Sequence, residues 1–214
     1  DSSGAIWFAT SSGVSRHEMS REASSGFVNF RQPDGLPFNE VYAVHSDKQG
    51  GVWFGTGKGL SYFDGVQFLN RDSTDGLMNP HILDLKSRGD GILWLGTNSG
   101  VSRYDGQEFV NFTPADGLAS PIGRSIAFDS AGRTWFGTDG GVSCYDGAVF
   151  SNLDTRDGLL SNNVFALHVD ANGDVWIGTE SQGVTRYRPT KSQPKVSITK
   201  VETDKPYTDV SAVP

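Results

Sequence analysis

Trp94-Leu95-Gly96-Thr97-Asn98-Ser99-Gly100-Val101-Ser102-Arg103-Tyr104-Asp105-Gly106 is one of three closely matched runs in this 214-residue chain. Trp53 to Gly65 and Trp135 to Gly147 repeat its W-x-G-T, G-x-S and D-G elements at the same internal spacing. Trp53, Trp94, Trp135 and Trp176 follow one another at intervals of 41 residues, and the D-G-L triplets beginning at Asp34, Asp75, Asp116 and Asp157 keep that interval. Trp7 precedes Trp53 by 46. The five extra residues fit the segment Met19 to Gly26, read as a lengthened surface loop.

One period reads D-G-L, a short apolar strand, a turn ending in Gly, W-x-G-T, G-V-S-x-Y-D-G and x-F-x-N-F. The first strand starts near Val41, Ile82, Gly123 or Val164, and its turn closes at Gly50, Gly91, Gly132 or Gly173. There glycine meets the positive φ that tight hairpins demand. The second strand is Val52 to Thr56 and its copies, and the third Leu60 to Asp64 and its copies. The fourth follows a D-G turn, as in Glu108 to Phe112. Four short antiparallel strands per repeat, with no helical periodicity between them, predict an all-β fold, a β-propeller of four-stranded blades. The tryptophan of each second strand is then the large residue filling the gap between neighbouring blades. The 27 glycines suit this turn-rich architecture.

Charge narrows the partners. A net charge of −7 without a basic stripe offers nothing to phosphate backbones or anionic membrane surfaces, so nucleic acid is not an expected partner. No apolar run reaches the ~18 residues of a membrane span, so this segment is not expected to insert in a membrane. The single cysteine, Cys144, excludes an intrachain disulfide framework, and without a basic neighbour in sequence it reads as a packed, quiet thiol.

The assembled consensus resembles the two-component regulator propeller repeat over residues 1–188. The match is tightest in the rows at Trp53, Trp94 and Trp135; the row at Trp7 has Ala9 for Gly, and the row at Trp176 has one extra residue before Gly183. The resemblance implies a periplasmic or extracellular sensor domain of a membrane-bound receptor, such as a hybrid histidine kinase or cyclase. It also implies a carbohydrate or other small-molecule ligand, and a seven-bladed ring followed by a small β-sandwich. Here about five blades are expected, an incomplete part of such a ring. The first lacks its innermost strand because Asp1 to Gly4 aligns with the turn Asp170 to Gly173, and the last lacks x-F-x-N-F, leaving eighteen strands. Remaining blades of a larger receptor, or another copy in a homo-oligomer, would complete the ring, with the receptor's signalling domains as further partners; closure as five blades is the alternative. Residues 189–194 read as a linker, and 195–214 as a last outer strand or the start of the sandwich. Asp1 in place of a methionine fits a processed or excised piece.

Candidate binding residues lie where D-G-L-x-x-N joins one blade to the next: Asn39, Glu40, Asn79, His81, Arg124, Asn162 and Asn163. They vary between rows, and such loops commonly carry binding. Asn in such a loop also caps or turns the backbone. Arg124 stands in a column otherwise held by Tyr42, Leu83 and Phe165; it could form an anion site, but stacking on a neighbouring aromatic or pairing with Asp84 is favoured. Asp170 to Asp174 is similar to the opening of a calcium loop, yet the later bidentate Glu is missing and a plain hairpin turn is favoured. His45, His81 and His168 are assigned to first strands as structural residues. No catalytic residue, metal ligand or cofactor is expected. The reading is a non-catalytic sensor propeller; the alternatives are a polysaccharide-acting glycosidase or lyase, which would need carboxylates such as Glu40 and Asp84 to converge, and a lectin-like or scaffold module.

Overall fold

The computed structural model describes residues 1, 3–18, 26–48 and 50–189, and within them eighteen strands form five antiparallel sheets. Blade 1 contains β1 (Ala5–Thr10), β2 (Gly13–Glu18) and β3 (Phe27–Phe30). Blade 2 contains β4 (Val41–Ser46), β5 (Val52–Thr56), β6 (Gly59–Phe63) and β7 (Phe68–Arg71). Blade 3 contains β8 (Ile82–Ser87), β9 (Leu93–Thr97), β10 (Gly100–Tyr104) and β11 (Phe109–Phe112). Blade 4 contains β12 (Gly123–Phe128), β13 (Thr134–Thr138), β14 (Gly141–Tyr145) and β15 (Phe150–Leu153). Blade 5 contains β16 (Val164–Val169), β17 (Val175–Thr179) and β18 (Val184–Tyr187). Each sheet is a simple meander, and β4, β8, β12 and β16 lie against one another in series on the inner side. These are β-propeller blades. Among the described residues the first sheet has no inner strand and the last no outer one. The loop at 19–25 and the tail assignments for 190–214 lie outside the described residues.

The cores sit between blades. Trp94, Val101 and Phe112 of blade 3 meet Ile126, Phe136, Tyr145 and Phe150 of blade 4, and the same columns recur at the other junctions. The rings meet edge-on or tilted: Trp94 lies 5.3 Å from Phe136 and 5.7 Å from Tyr145, and Trp7 lies 5.5 Å from Phe54. At the junction of blades 3 and 4 this packing leaves no room for a side chain at the glycine of W-x-G-T. A Cβ on Gly96 would lie 2.4 Å from the Gly123 carbonyl oxygen of the next blade.

The polar letters of the repeat form a hydrogen-bonded scaffold that runs from buried Thr and Ser to more exposed Asn and Gly. The Thr97 hydroxyl donates to the Gly100 carbonyl at 2.9 Å and accepts from Ser99 N–H at 3.1 Å, closing the tip of the second hairpin. Ser102 donates to Asn111 Oδ1 at 2.7 Å, and Asn111 Nδ2 donates to the Gly76 carbonyl at 3.0 Å. Ser61, Asn70 and Gly35 repeat the chain of bonds at 2.7 and 2.9 Å. The serine, asparagine and D-G-L glycine of the consensus thus tie the third and fourth strands to the preceding inter-blade loop, each bond contributing about 1 kcal/mol net.

Along the inner seam, Ile126 N–H donates to Asp84 Oδ2 at 2.8 Å and Lys86 Nζ donates to the Ile126 carbonyl at 2.6 Å. One blade on, Leu167 N–H donates to Ser125 Oγ at 3.0 Å. Burial raises the Asp84 carboxyl above its ordinary range, against the opposing pull of Lys86 and two backbone N–H groups. Among the described residues no helix is long and apolar enough to cross a membrane.

Candidate functional site

Each inter-blade loop begins with a 3-10 turn, the one element that no hydrophobic pattern announced: Gln32–Asp34, Ser73–Asp75, Pro114–Asp116 and Thr155–Asp157. At the second, Asp72 Oδ1 accepts from Thr74 N–H at 2.7 Å and Asp75 Oδ2 accepts from Asp72 N–H at 2.9 Å. The turn stops at Gly76, whose φ of 101° places it in the left-handed region. The following leucine, Leu36, Leu77, Leu118 or Leu159, is buried and pins the loop to the core. The chain then rises to the first strand, where all four complete inner hairpins shift register between their first and third residues. The extra residue is Tyr42, Leu83, Arg124 or Phe165. A bulge re-aims the side chain it carries, so this variable column stands on the loop end of every inner strand.

The predicted site residues divide into two groups. Asn39 Oδ1 accepts from Gln32 N–H at 2.9 Å, and Asn162 Oδ1 accepts from Thr155 N–H at 2.8 Å, so both tie the loop back to its 3-10 turn. Asn79 accepts from His81 N–H at 2.9 Å and donates to Ser99 Oγ at 2.7 Å, bracing the hairpin tip of blade 3. The second group surrounds the bulges. Glu40 is exposed and its Oε2 accepts from Tyr42 Oη at 2.9 Å, which raises the Tyr42 phenol above its ordinary value. The His81 ring stacks on Tyr42 at 4.9 Å, bridging blades 2 and 3. Arg124 lies over the Phe165 ring at 4.7 Å, bridging blades 4 and 5 as the aromatic-stacking alternative anticipates. Asp84 is engaged elsewhere. Asn163 Nδ2 donates to Glu180 Oε2 at 2.5 Å, while its Oδ1 is buried without a partner among the described residues.

One assignment is corrected. His81 precedes β8 and sits in the loop, because the strand begins only at Ile82, whereas His45 and His168 lie in β4 and β16. Asp170 spends its carboxylate on its own hairpin, accepting from Asn172 N–H at 2.8 Å, Asp174 N–H at 3.0 Å and Trp176 Nε1 at 2.9 Å. Among the described residues no three His, Cys, Asp or Glu side chains gather as metal ligands. Burial pushes the Cys144 thiol up to about 11, keeping it protonated at neutral pH. Sequence reasoning missed Phe38, whose ring carries Lys58 Nζ at 4.7 Å, and the exposed rings of Tyr42 and Phe165. The variability of the bulge column was the available signal. At the opposite end of blades 2 and 3 a cleft of about 210 Å³ is lined by His45, Asp47, Lys48, Trp53, Arg88 and Tyr104.

The loop end therefore presents aromatic faces, two cations and carboxylates held by separate neutral groups. Residues 35–58 and 158–181, each running from a D-G-L glycine through the following W-x-G-T, match the model of the two component regulator propeller. Those two stretches match two-component regulator propeller repeats. No curated protein matches it. Among solved structures, the extracellular domain of a hybrid two-component system from B. thetaiotaomicron is similar at 22% identity and TM-score 0.78, covering 88% of this chain and 27% of that one. A second such domain from B. thetaiotaomicron is 20% identical with TM-score 0.73, covering 88% and 26%. Virginiamycin B lyase from Staphylococcus aureus is 14% identical with TM-score 0.65, covering 87% and 67%. These likenesses establish the propeller fold of the repeats. The chain spans about a quarter of the length of the two receptor domains.

Proposed function

We propose that these blades form a non-catalytic sensor propeller of a bacterial two-component-type receptor, facing the periplasm or the outside of the cell, whose loop end takes a carbohydrate or another small polar molecule. The repeat family and the likeness to extracellular receptor domains support the class. The observation that carries the binding role is the contrast within each loop: a constant frame of 3-10 turn, buried leucine and bulge holds side chains that differ in every blade. A frame conserved by packing beside a column free to vary is the arrangement of a recognition surface. Exposed aromatic faces beside Glu40, Asn163 and Arg124 suit a sugar, which offers apolar C–H faces to rings and hydroxyls to polar groups. Ligand occupancy would bias a downstream signalling module by favouring one arrangement of the receptor.

Calorimetric titration with a panel of neutral and acidic oligosaccharides tests this reading. The expected result is a binding sugar whose affinity drops at least tenfold in both Tyr42→Ala and Phe165→Ala. Binding by no sugar, or binding that neither variant alters, would count against the site. A second reading is a polysaccharide-acting enzyme; a distant lyase shares the propeller fold. Product release from any panel member, abolished by Glu40→Gln or His81→Ala, would put that reading first.

A further inference from the structure

The cleft between blades 2 and 3, at the end away from the inter-blade loops, follows from how the repeat varies. His45, Trp53 and Tyr62 stand opposite one another in the strand register and so share one face of blade 2. Ser87, Leu93 and Tyr104 form a row of the same kind on blade 3, and Trp53 lies 6.0 Å from Tyr104 across the junction. The same end of the next junction is filled. There Arg88, from the first hairpin turn of blade 3, lies over the Phe128 ring at 4.7 Å and donates to the Gly132 carbonyl at 2.5 Å and to Thr134 Oγ1 at 3.1 Å. One repeat earlier those three positions are Ser87, Gly91 and Leu93, and the position of Arg88 is Asp47. A serine replaces the phenyl ring and a short aspartate replaces the side chain that crosses the junction. A cleft of about 210 Å³ stays open in consequence, with Trp53, Leu93 and Tyr104 in its lining.

The polar groups around this cleft divide by whether the fold already uses them. Asp47 Oδ1 accepts from Gly51 N–H at 2.8 Å, and the same carboxylate is bonded by the Tyr62 phenol, which burial and that bond push up to about 12. Ser87 Oγ accepts from Gly89 N–H at 2.9 Å. His45, Ser46 and Lys48 make no side-chain hydrogen bond and no ion pair among the described residues. Lys48 is laid across the next blade: a Cβ on Gly89 would fall 2.4 Å from its Cε and 2.7 Å from its Nζ, so the glycine of that turn gives the ammonium its place. Burial holds the His45 imidazole below its ordinary value, opposed by Asp47 and reinforced by Lys86, which leaves a neutral ring with one N–H to donate. The unused groups are thus an ammonium, an imidazole and a hydroxyl, all able to donate, beside an aromatic floor. The one carboxylate in the lining is engaged within its own blade.

We propose that this cleft binds a small ring-bearing carboxylate, its ring against Trp53 and Tyr104 and its carboxylate on Lys48 and His45. A charged acceptor satisfies the unused donors and gives Lys48 the counter-charge that no described side chain supplies. The ring takes the space that the Arg88 guanidinium fills against Phe128 one junction on. At about 210 Å³ the cleft is below the ~300 Å³ at which sites for drug-sized ligands begin, so it suits a single ring. It lies at the other end of the inner strands from Glu40, Tyr42 and Phe165, and it does not depend on their binding a ligand.

The test is a ligand-observed NMR titration of the 214-residue chain with benzoate and with glucuronate, each beside its neutral counterpart, benzamide or glucose. At least one acid is expected to bind saturably and about tenfold more tightly than its counterpart, the effect of one charge-assisted hydrogen bond. Which acid binds separates an aromatic acid from a sugar acid. Lys48→Met is expected to weaken that binding about tenfold. Ser87→Phe installs the ring that blade 4 carries at this position and is expected to abolish it. Tyr42→Ala and Phe165→Ala are expected to leave it unchanged, so a failure at the loop end is told apart from a failure here. Lys48 is exposed, and its variant should match the wild type in far-UV circular dichroism. Binding of neither acid, equal binding of the neutral counterparts, or binding that Lys48→Met and Ser87→Phe leave intact would each overturn the proposal. So would binding lost in Tyr42→Ala or Phe165→Ala, which would move the acid to the loop end.

Discussion

The junction between blades 3 and 4 and the outward face of blade 5 use the same columns of the same repeat, and they differ in one respect: among the described residues, only the first has a neighbour lying on it. Trp94 and Trp176 both occupy the second strand of a W-x-G-T run, yet one is sealed among Phe112, Phe136 and Tyr145 and the other stands half in solvent beside Arg186. The repeat prescribes the shape of a blade; the adjacent blade decides whether that shape becomes core. Stability is accordingly concentrated at junctions, as in other repeat arrays where nearest-neighbour contacts dominate.

The largest contrast should come from the tryptophans. Trp94→Ala is expected to cost about 3–5 kcal/mol, the usual range for deleting a buried aromatic, while Trp176→Ala should cost under about 1 kcal/mol. Urea denaturation of the two variants measures both, and equal losses would break the comparison. The glycines should follow in the same order. Gly96→Ala drives a Cβ into the Gly123 carbonyl and is expected to cost about 1–3 kcal/mol. At Gly178 the nearest atom to a new Cβ is Ala166 Cβ of the same blade at 3.4 Å, so Gly178→Ala should stay within about 0.5 kcal/mol.

The smallest effect separates two internal seams. Asp84 and Ser125 make the same bond to the next inner strand, but only Asp84 carries a carboxyl, and burial raises it above its ordinary value of 3.8. The folded chain therefore holds that proton more tightly than the unfolded one. Stability should fall as pH rises from the ordinary value through the raised one. Asp84→Ser imports the solution of the next seam and should remove this component, so the difference in urea midpoint between variant and wild type should shift in the variant's favour as pH rises from 4 to 7. A difference that does not change with pH would mean that Lys86 and the backbone N–H groups offset burial completely.

Much of the fold was legible because its determinants are local and repeat in register. Gly50, Gly91, Gly132 and Gly173 mark the first hairpins, and the observed first strands begin at the residues read from the sequence, Val41, Ile82, Gly123 and Val164. The site was legible in place but not in role. Asn39, Asn79 and Asn162 stand on the loops as expected, yet Asn39 and Asn162 are committed to backbone seven residues back and Asn79 to partners two and twenty residues ahead. The stacks of His81 on Tyr42 and Arg124 on Phe165 join residues of adjacent blades across a bulge, and no spacing within one row encodes where a bulged side chain will point.

What the sequence by itself determined is the blade: its period of 41, its turns, and the serine, threonine, asparagine and glycine of its hydrogen-bonded scaffold, all of which act within one repeat or across one loop. Only the tertiary structure decided which copies of a column are core and which are surface. Burial belongs to a pair of faces, and Val101 and Val184 are the same letter of the repeat with and without a second face against them.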